Sequence, residues 1–210
     1  MTPVSRFAAL AGAALLLAAC AIGEPLPEAT TYVVEPQMPP AAAASARKPE
    51  ALRIGQVRVA AAFSGNSLVF RASDVRYVSD PYHAFIAEPG AMLGSRIADW
   101  LEAAGPFASV VQPDGRRAAR YVLEATVTEL YGDFRPGRGP AAVLAIQFAL
   151  IDTAAPRPRT VLARTLARRI ELPEASFDAL VRGYGSALAE ILAELVAAMN
   201  SIQRSASWKR

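Results

Sequence analysis

A chain of 210 residues with a single cysteine, Cys20, can form no internal disulfide, so a hydrophobic core must hold whatever it folds into. With 53% apolar residues, the length is ample for one such core and short for two. A single domain is therefore expected. The formal charge is +3, and apart from Lys48 and Lys209 every basic side chain is an arginine. Arginines cluster at Arg116, Arg117 and Arg120, at Arg157 and Arg159, and at Arg164, Arg168 and Arg169. No aromatic stripe interleaves them, so nucleic acid is not an expected partner. They read as solvated faces, or as contacts for anionic lipid head groups or an acidic protein.

The position of Cys20 gives it a second meaning. Met1 to Arg6 carries one positive charge, and Phe7 to Ala19 is an apolar run without a charge. That run is too short to span a bilayer, which takes about 20 apolar residues. A basic start, a short apolar centre and small residues before a cut are the layout of a secretory signal, over residues 1–19. Leu17, Ala18, Ala19 and Cys20 resemble the bacterial lipobox. The resemblance implies cleavage before Cys20, a covalent diacylglycerol on its sulfur and an acyl chain on its amine. It implies no other cofactor. Several acyl chains hold a protein firmly on a membrane, where one alone would be marginal. Ala21 stands where an Asp commonly retains lipoproteins on the inner membrane, which points to the periplasmic face of the outer membrane.

From Cys20 to Glu50 the chain is rich in Pro and Ala and reads as a tether. Within it, residues 31–34 have strand composition and suit an edge strand. A compact domain is expected over residues 51–203, with a tail at 204–210. Leu52 to Val59 reads as a strand with a bulge at Gly55, and Leu68–Arg71 and Val75–Val78 as two short strands joined around Ser73-Asp74. Pro89 opens a helix whose Met92, Leu93, Ile97, Trp100 and Leu101 share one face. Phe107–Val111 follows as a strand. Two long alternating strands, around Leu123 and around Ile146, and a third from Val161 to Ile170 near an edge come next. The clearest element is last: from Phe177 to Met199, apolar residues form one stripe at helical spacing, with Ser176 as N-cap. The pattern predicts an α+β single domain: a mixed, mostly antiparallel sheet with two main helices packed on one face.

No catalytic or metal constellation stands out. His83 is the one histidine, and no Cys beyond Cys20 exists to share a zinc. Gly183-Tyr184-Gly185-Ser186 resembles a nucleophile elbow only in letters, since it lies inside the helical stripe, where glycines permit close packing. Gly-rich phosphate cradles are missing. An enzyme is not expected.

Several segments, weak singly but specific as a series, resemble the ABC-type transport auxiliary lipoproteins, the paraquat-inducible protein C-like family. They are Leu52-Arg53-Ile54-Gly55-Gln56-Val57-Arg58-Val59, Asn66-Ser67-Leu68-Val69-Phe70-Arg71, Tyr77, Ala87-Glu88-Pro89, and Gly105 through Val111. Tyr121-Val122-Leu123-Glu124 and the final helix fit the remainder, and Tyr32-Val33-Val34 fits the family's early strand. Phe85 departs from the pattern, standing where the family usually has Trp. The resemblance implies partners rather than a reaction: an ABC ATPase, a permease and a mammalian-cell-entry-type substrate-binding protein that together move lipids between membranes. Arg76, Tyr77, Tyr82 and Phe85 are read as the contact surface for such a partner, with core packing the alternative for each. An edge strand and an aromatic patch also invite a second copy of the chain. The rival reading is an outer-membrane assembly lipoprotein not tied to a transporter.

Overall fold

The computed structural model describes residues 28–39, 47–154 and 157–207, with side chains to Ser201; Leu17, Ala18, Ala19 and Cys20 lie outside them. The chain order is β1 (Thr30–Tyr32), β2 (Lys48–Ile54), β3 (Arg58–Val59), a 3-10 turn (Ala61–Phe63), β4 (Ser67–Arg71), β5 (Tyr77–Phe85), α1 (Pro89–Ala104), β6 (Phe107–Val111), β7 (Tyr121–Asp133), β8 (Ala141–Asp152), β9 (Arg159–Glu171) and α2 (Phe177–Ser207).

One long strand organises the sheet. On one side β7 pairs antiparallel with β8, which pairs antiparallel with the edge strand β9. Along its other side β7 meets three short strands in succession, all parallel to it: β2 at Leu123, β3 at Val127 and β4 at Gly132. The sheet therefore forks. One prong continues from β2 to β6, in parallel, and the other from β4 through antiparallel β5 to parallel β1. Among the described strands, five of the eight pairings are parallel, which corrects the expectation of a mostly antiparallel sheet. Alternation of apolar residues reports which face of a strand is buried, but not the direction of its neighbour. The break at Gly55–Val57 lets one stretch of chain supply both β2 and β3 to the same edge of β7.

Both helices cover one face, and a single core lies beneath them. Leu123, Ala125 and Val127 of β7 and Leu144, Ile146 and Phe148 of β8 point into it. From α1 come Leu93, Ile97, Trp100 and Leu101, and from α2 Leu180, Tyr184, Leu188, Ile191 and Leu195. At about 25 cal/mol per Å² of apolar surface, the α2 stripe is among the larger stabilising contributions. The Ser176 hydroxyl accepts the Ala179 amide hydrogen at 3.2 Å, so the helix is capped as its sequence predicts. At its other end α2 continues past Gln203 to Ser207, into the stretch read as a tail.

A register shift between Val127 and Glu129 changes which face the end of β7 presents. Before it, odd-numbered residues face the helices. After it, Leu130 and Gly132 do, and Tyr131 and Asp133 turn to the opposite face. Gly132 sits directly under Leu180 of α2, where an added Cβ would lie 3.0 Å from that side chain.

Candidate functional site

The segment after β1 is seated, not trailing. Val34 is 0% exposed, and Pro36 is buried as well. The Val34 amide meets the Met92 sulfur at 3.5 Å, and Arg96 Nε donates to the Val34 carbonyl at 3.3 Å while its Nη2 reaches Glu35 Oε1 at 2.9 Å. On the other side lies Gly185 of α2. A Cβ there would overlap the Glu35 carbonyl oxygen and lie 3.1 Å from its carbon, so only glycine admits the strap between the helices. Residues 30–36 thus join the domain at β5 and at both helices; they include 31–34, read as an edge strand within the tether stretch.

The face of the sheet that carries no helix bears a second, smaller apolar cluster of Val69, Tyr131 and Val143, with Phe63 packed against it. Tyr77 completes it: its ring stands edge-on to Tyr131 at 5.2 Å, and Phe63 stacks on Tyr131 at 5.8 Å. The Arg71 guanidinium lies 5.5 Å from the Tyr77 ring centre and is held by the carbonyls of Ser73 and Asp74 at 3.2 and 2.6 Å. Tyr77 is 44% exposed, so the cluster opens to solvent through it.

Beside this cluster sits Asp133, the one buried charged side chain among the described residues, 1% exposed. Arg135 grips both its oxygens at 2.8 Å, and Arg169 reaches across from β9 at 2.7 Å. The Arg135 hydrogen bonds, together with the Arg169 charge, hold its carboxyl well below the usual carboxylate range. Arg135 also reaches Asp74 at 2.7 Å, so one guanidinium ties the β7–β8 turn to the β4–β5 turn.

The four residues expected to form a contact surface are divided by the structure. Arg76 and Tyr77 are exposed, at the β4–β5 turn and on the helix-free face. Tyr82 is half-buried on β5. Phe85 is not a surface residue: it is 3% exposed and packs on Tyr184 with ring centres 6.2 Å apart. The cause is local. Asp80 Oδ1 accepts the amides of Tyr82 and His83 at 2.8 and 2.9 Å and faces His83 Nδ1 at 2.7 Å, building a bulge around Pro81. The strand rotates there, so Tyr77 and Phe85 end on opposite faces. Sequence reasoning missed Tyr131, Phe63 and Asp133. The one signal for Asp133 was an acid at the end of an apolar strand with Arg135 two residues on.

The model of the ABC-type transport auxiliary lipoprotein component family matches residues 32–196, from the strap through most of α2. The chain belongs to that family. Protein XCC0632 from Xanthomonas campestris has a similar fold, with a TM-score of 0.72 at 18% identity, over 85% of this chain and 99% of that one. A second solved structure, of an uncharacterized protein, is similar at a TM-score of 0.63 and 19% identity, over 82% and 99% of the two chains. No curated protein matches in sequence. The match begins at Tyr32, so the family's boundary takes in the strap.

Proposed function

We propose that this member of the family is a periplasmic docking component of a mammalian-cell-entry-linked ABC transport system that moves lipid between membranes. A lipid on Cys20 holds it to the periplasmic face of the outer membrane, and it contributes a binding surface rather than a reaction. The observation that carries this reading is the aromatic cluster on the helix-free face. Phe63, Tyr77 and Tyr131, framed by Arg71, form an amphipathic, partly exposed patch of the composition enriched at protein interfaces. Two turns tied together by Arg135 hold it rigid, so little ordering cost opposes binding there. The partner proposed for the patch is the mammalian-cell-entry-type protein, with the permease and ATPase following in the same assembly.

A photoactivatable side chain at Tyr77 in the membrane-bound protein tests this. The reading expects crosslinks to a mammalian-cell-entry-type protein, and none from the same group placed at Ala154, on the turn at the far end of the sheet. Crosslinks from Tyr77 to outer-membrane assembly proteins alone would support the rival reading.

A further inference from the structure

The direction of β1 fixes the end of β5 from which the chain enters the domain. β1 runs parallel to β5, with Thr30 opposite His83 and Tyr32 opposite Phe85. The chain therefore enters β1 from the side of Tyr77, the first residue of β5. At that end lie the β4–β5 turn and the β7–β8 turn, because Arg71 at the end of β4 is in register with Asp133 at the end of β7. Cys20 is ten residues upstream of Thr30, a reach of about 35 Å at full extension.

The same end carries an unusual surface. Val75, at the tip of the β4–β5 turn, is 92% exposed, the most exposed of the large apolar side chains described. Around it stand Arg71, Arg76, Arg135 and Arg138, and Arg76, Arg135 and Arg138 line a depression of about 440 Å³ together with Ser73, Asp74 and Pro136. The acids in this group are already engaged: Asp133 by Arg135 and Arg169, Asp74 by Arg135. Arg76 and Arg138 have no carboxylate within ion-pair distance among the described residues, which leaves two cations free beside an exposed valine. Of the other acids at this end, Glu171 closes β9, two strands away from β7, while Glu174 accepts from the Ser176 hydroxyl at 2.9 Å and Asp178 lies 3.9 Å from Arg182 at the start of α2.

We propose that the two turns, 72–76 and 134–140, form a second attachment to the membrane, in which Arg76 and Arg138 bind the phosphates of anionic phospholipids and Val75 enters the interface. The proposal rests on Cys20 being the lipidated residue, since a lipid ten residues before Thr30 would bring this end, from which β1 is entered, within reach of the bilayer. It moves Arg76 from the partner surface to the membrane surface and leaves Tyr77, on the adjoining face, for the protein partner. An arginine near an anionic surface strengthens binding about fivefold, so two act as a factor of about 25 in holding the tip down. A lipid anchor alone would not fix the domain's orientation; the second attachment fixes which face it turns to a conduit.

The test uses the full lipidated protein, with Val75→Cys carrying a polarity-sensitive fluorophore, in vesicles of phosphatidylcholine alone or with about 30% phosphatidylglycerol. The expected result is a blue-shifted emission only with phosphatidylglycerol, lost in 0.5 M salt (about a 4 Å Debye length) and lost in R76E/R138E. The same label on Ala154→Cys, at the opposite end, stays unshifted. An unshifted tip label, a shift that survives the double reversal, or an equal shift at Ala154 overturns the proposal. A protein that floats with neither vesicle refutes the Cys20 anchor itself, and this placement with it. Because both arginines are exposed and unpaired, the double variant keeps the wild-type circular dichroism.

Discussion

Gly185→Ala puts the seated strap to a direct test, because two opposed effects can be sized. In an ordinary helix the change stabilises by about 1 kcal/mol, since alanine is the better helix former. Here the new methyl overlaps the Glu35 carbonyl, a backbone group with Pro36 fixed behind it, so the strap must lift. Lifting exposes Val34, which costs about 2 kcal/mol of apolar burial. It also breaks the bond from Arg96 to the Val34 carbonyl, about 1 kcal/mol more. The Arg96–Glu35 pair is exposed on the Glu35 side and adds little. The strap's closed state should therefore weaken by about 3 kcal/mol, roughly a hundredfold in its opening equilibrium, while the whole domain loses about 2 kcal/mol. Hydrogen exchange at the Val34 and Glu35 amides, read by mass spectrometry on peptides from the strap, measures the first. Thermal unfolding measures the second, with an expected fall of about 4–8 °C for a domain of this size. Unchanged strap exchange together with a raised melting temperature would refute the reasoning, because that is how Gly→Ala behaves in a helix with nothing across from it.

Three further outcomes follow from the same structure. Asp133→Asn should destabilise the domain by about 2 kcal/mol at neutral pH, through loss of charge-assisted bonds to a buried carboxylate. The folded carboxyl titrates lower than in the unfolded chain, so its contribution is full above about pH 4 and fades as pH falls through the folded value. Urea titrations of both proteins should thus converge in acid, and a gap that persists undiminished at pH 2 would count against the assignment. Tyr184→Phe should raise stability by about 1 kcal/mol, since the fully buried hydroxyl has no hydrogen-bond partner among the described residues and burial pushes its ionisation well above the ordinary tyrosine value; a lowered melting temperature would contradict this. Cys20→Ser should move the protein from the membrane fraction to the soluble or signal-retaining forms, and a variant that keeps mature size and membrane attachment would remove the lipid from the account.

The parts of the fold that periodicity can report were legible from the start. The α2 stripe, the buried alternation of β7 and β8 up to Val127 and the α1 face around Leu93 and Ile97 all lie where their spacing puts them. What stayed illegible depends on partners distant in sequence. The parallel approach of β2, β3 and β4 to one strand leaves no local signature, because each is too short to declare more than a buried face. The strap was legible only as strand composition at 31–34: that Val34 enters the core and that Glu35 and Pro36 seat against the helices left no signal, because the Pro and Ala around them dilute any apolar pattern. Phe85 was misplaced and Tyr131 missed for one shared reason, a bulge upstream. The Asp80 turn reverses the facing of β5, and the shift at Thr128 reverses that of β7. Each slip moved an aromatic residue across the sheet, Phe85 inward and Tyr131 outward. The aromatic patch exists because of the second.

The central claim, that this protein works as the docking component of a transport assembly, is tested most directly by purifying the intact lipidated chain from gently solubilised membranes and identifying what accompanies it. The account predicts recovery of a mammalian-cell-entry-type protein with its permease and ATPase, and their loss when Tyr77 and Tyr131 are both replaced by serine in a chain that still folds. Recovery of outer-membrane assembly proteins alone, or of the same transporter set with both tyrosines gone, would contradict it.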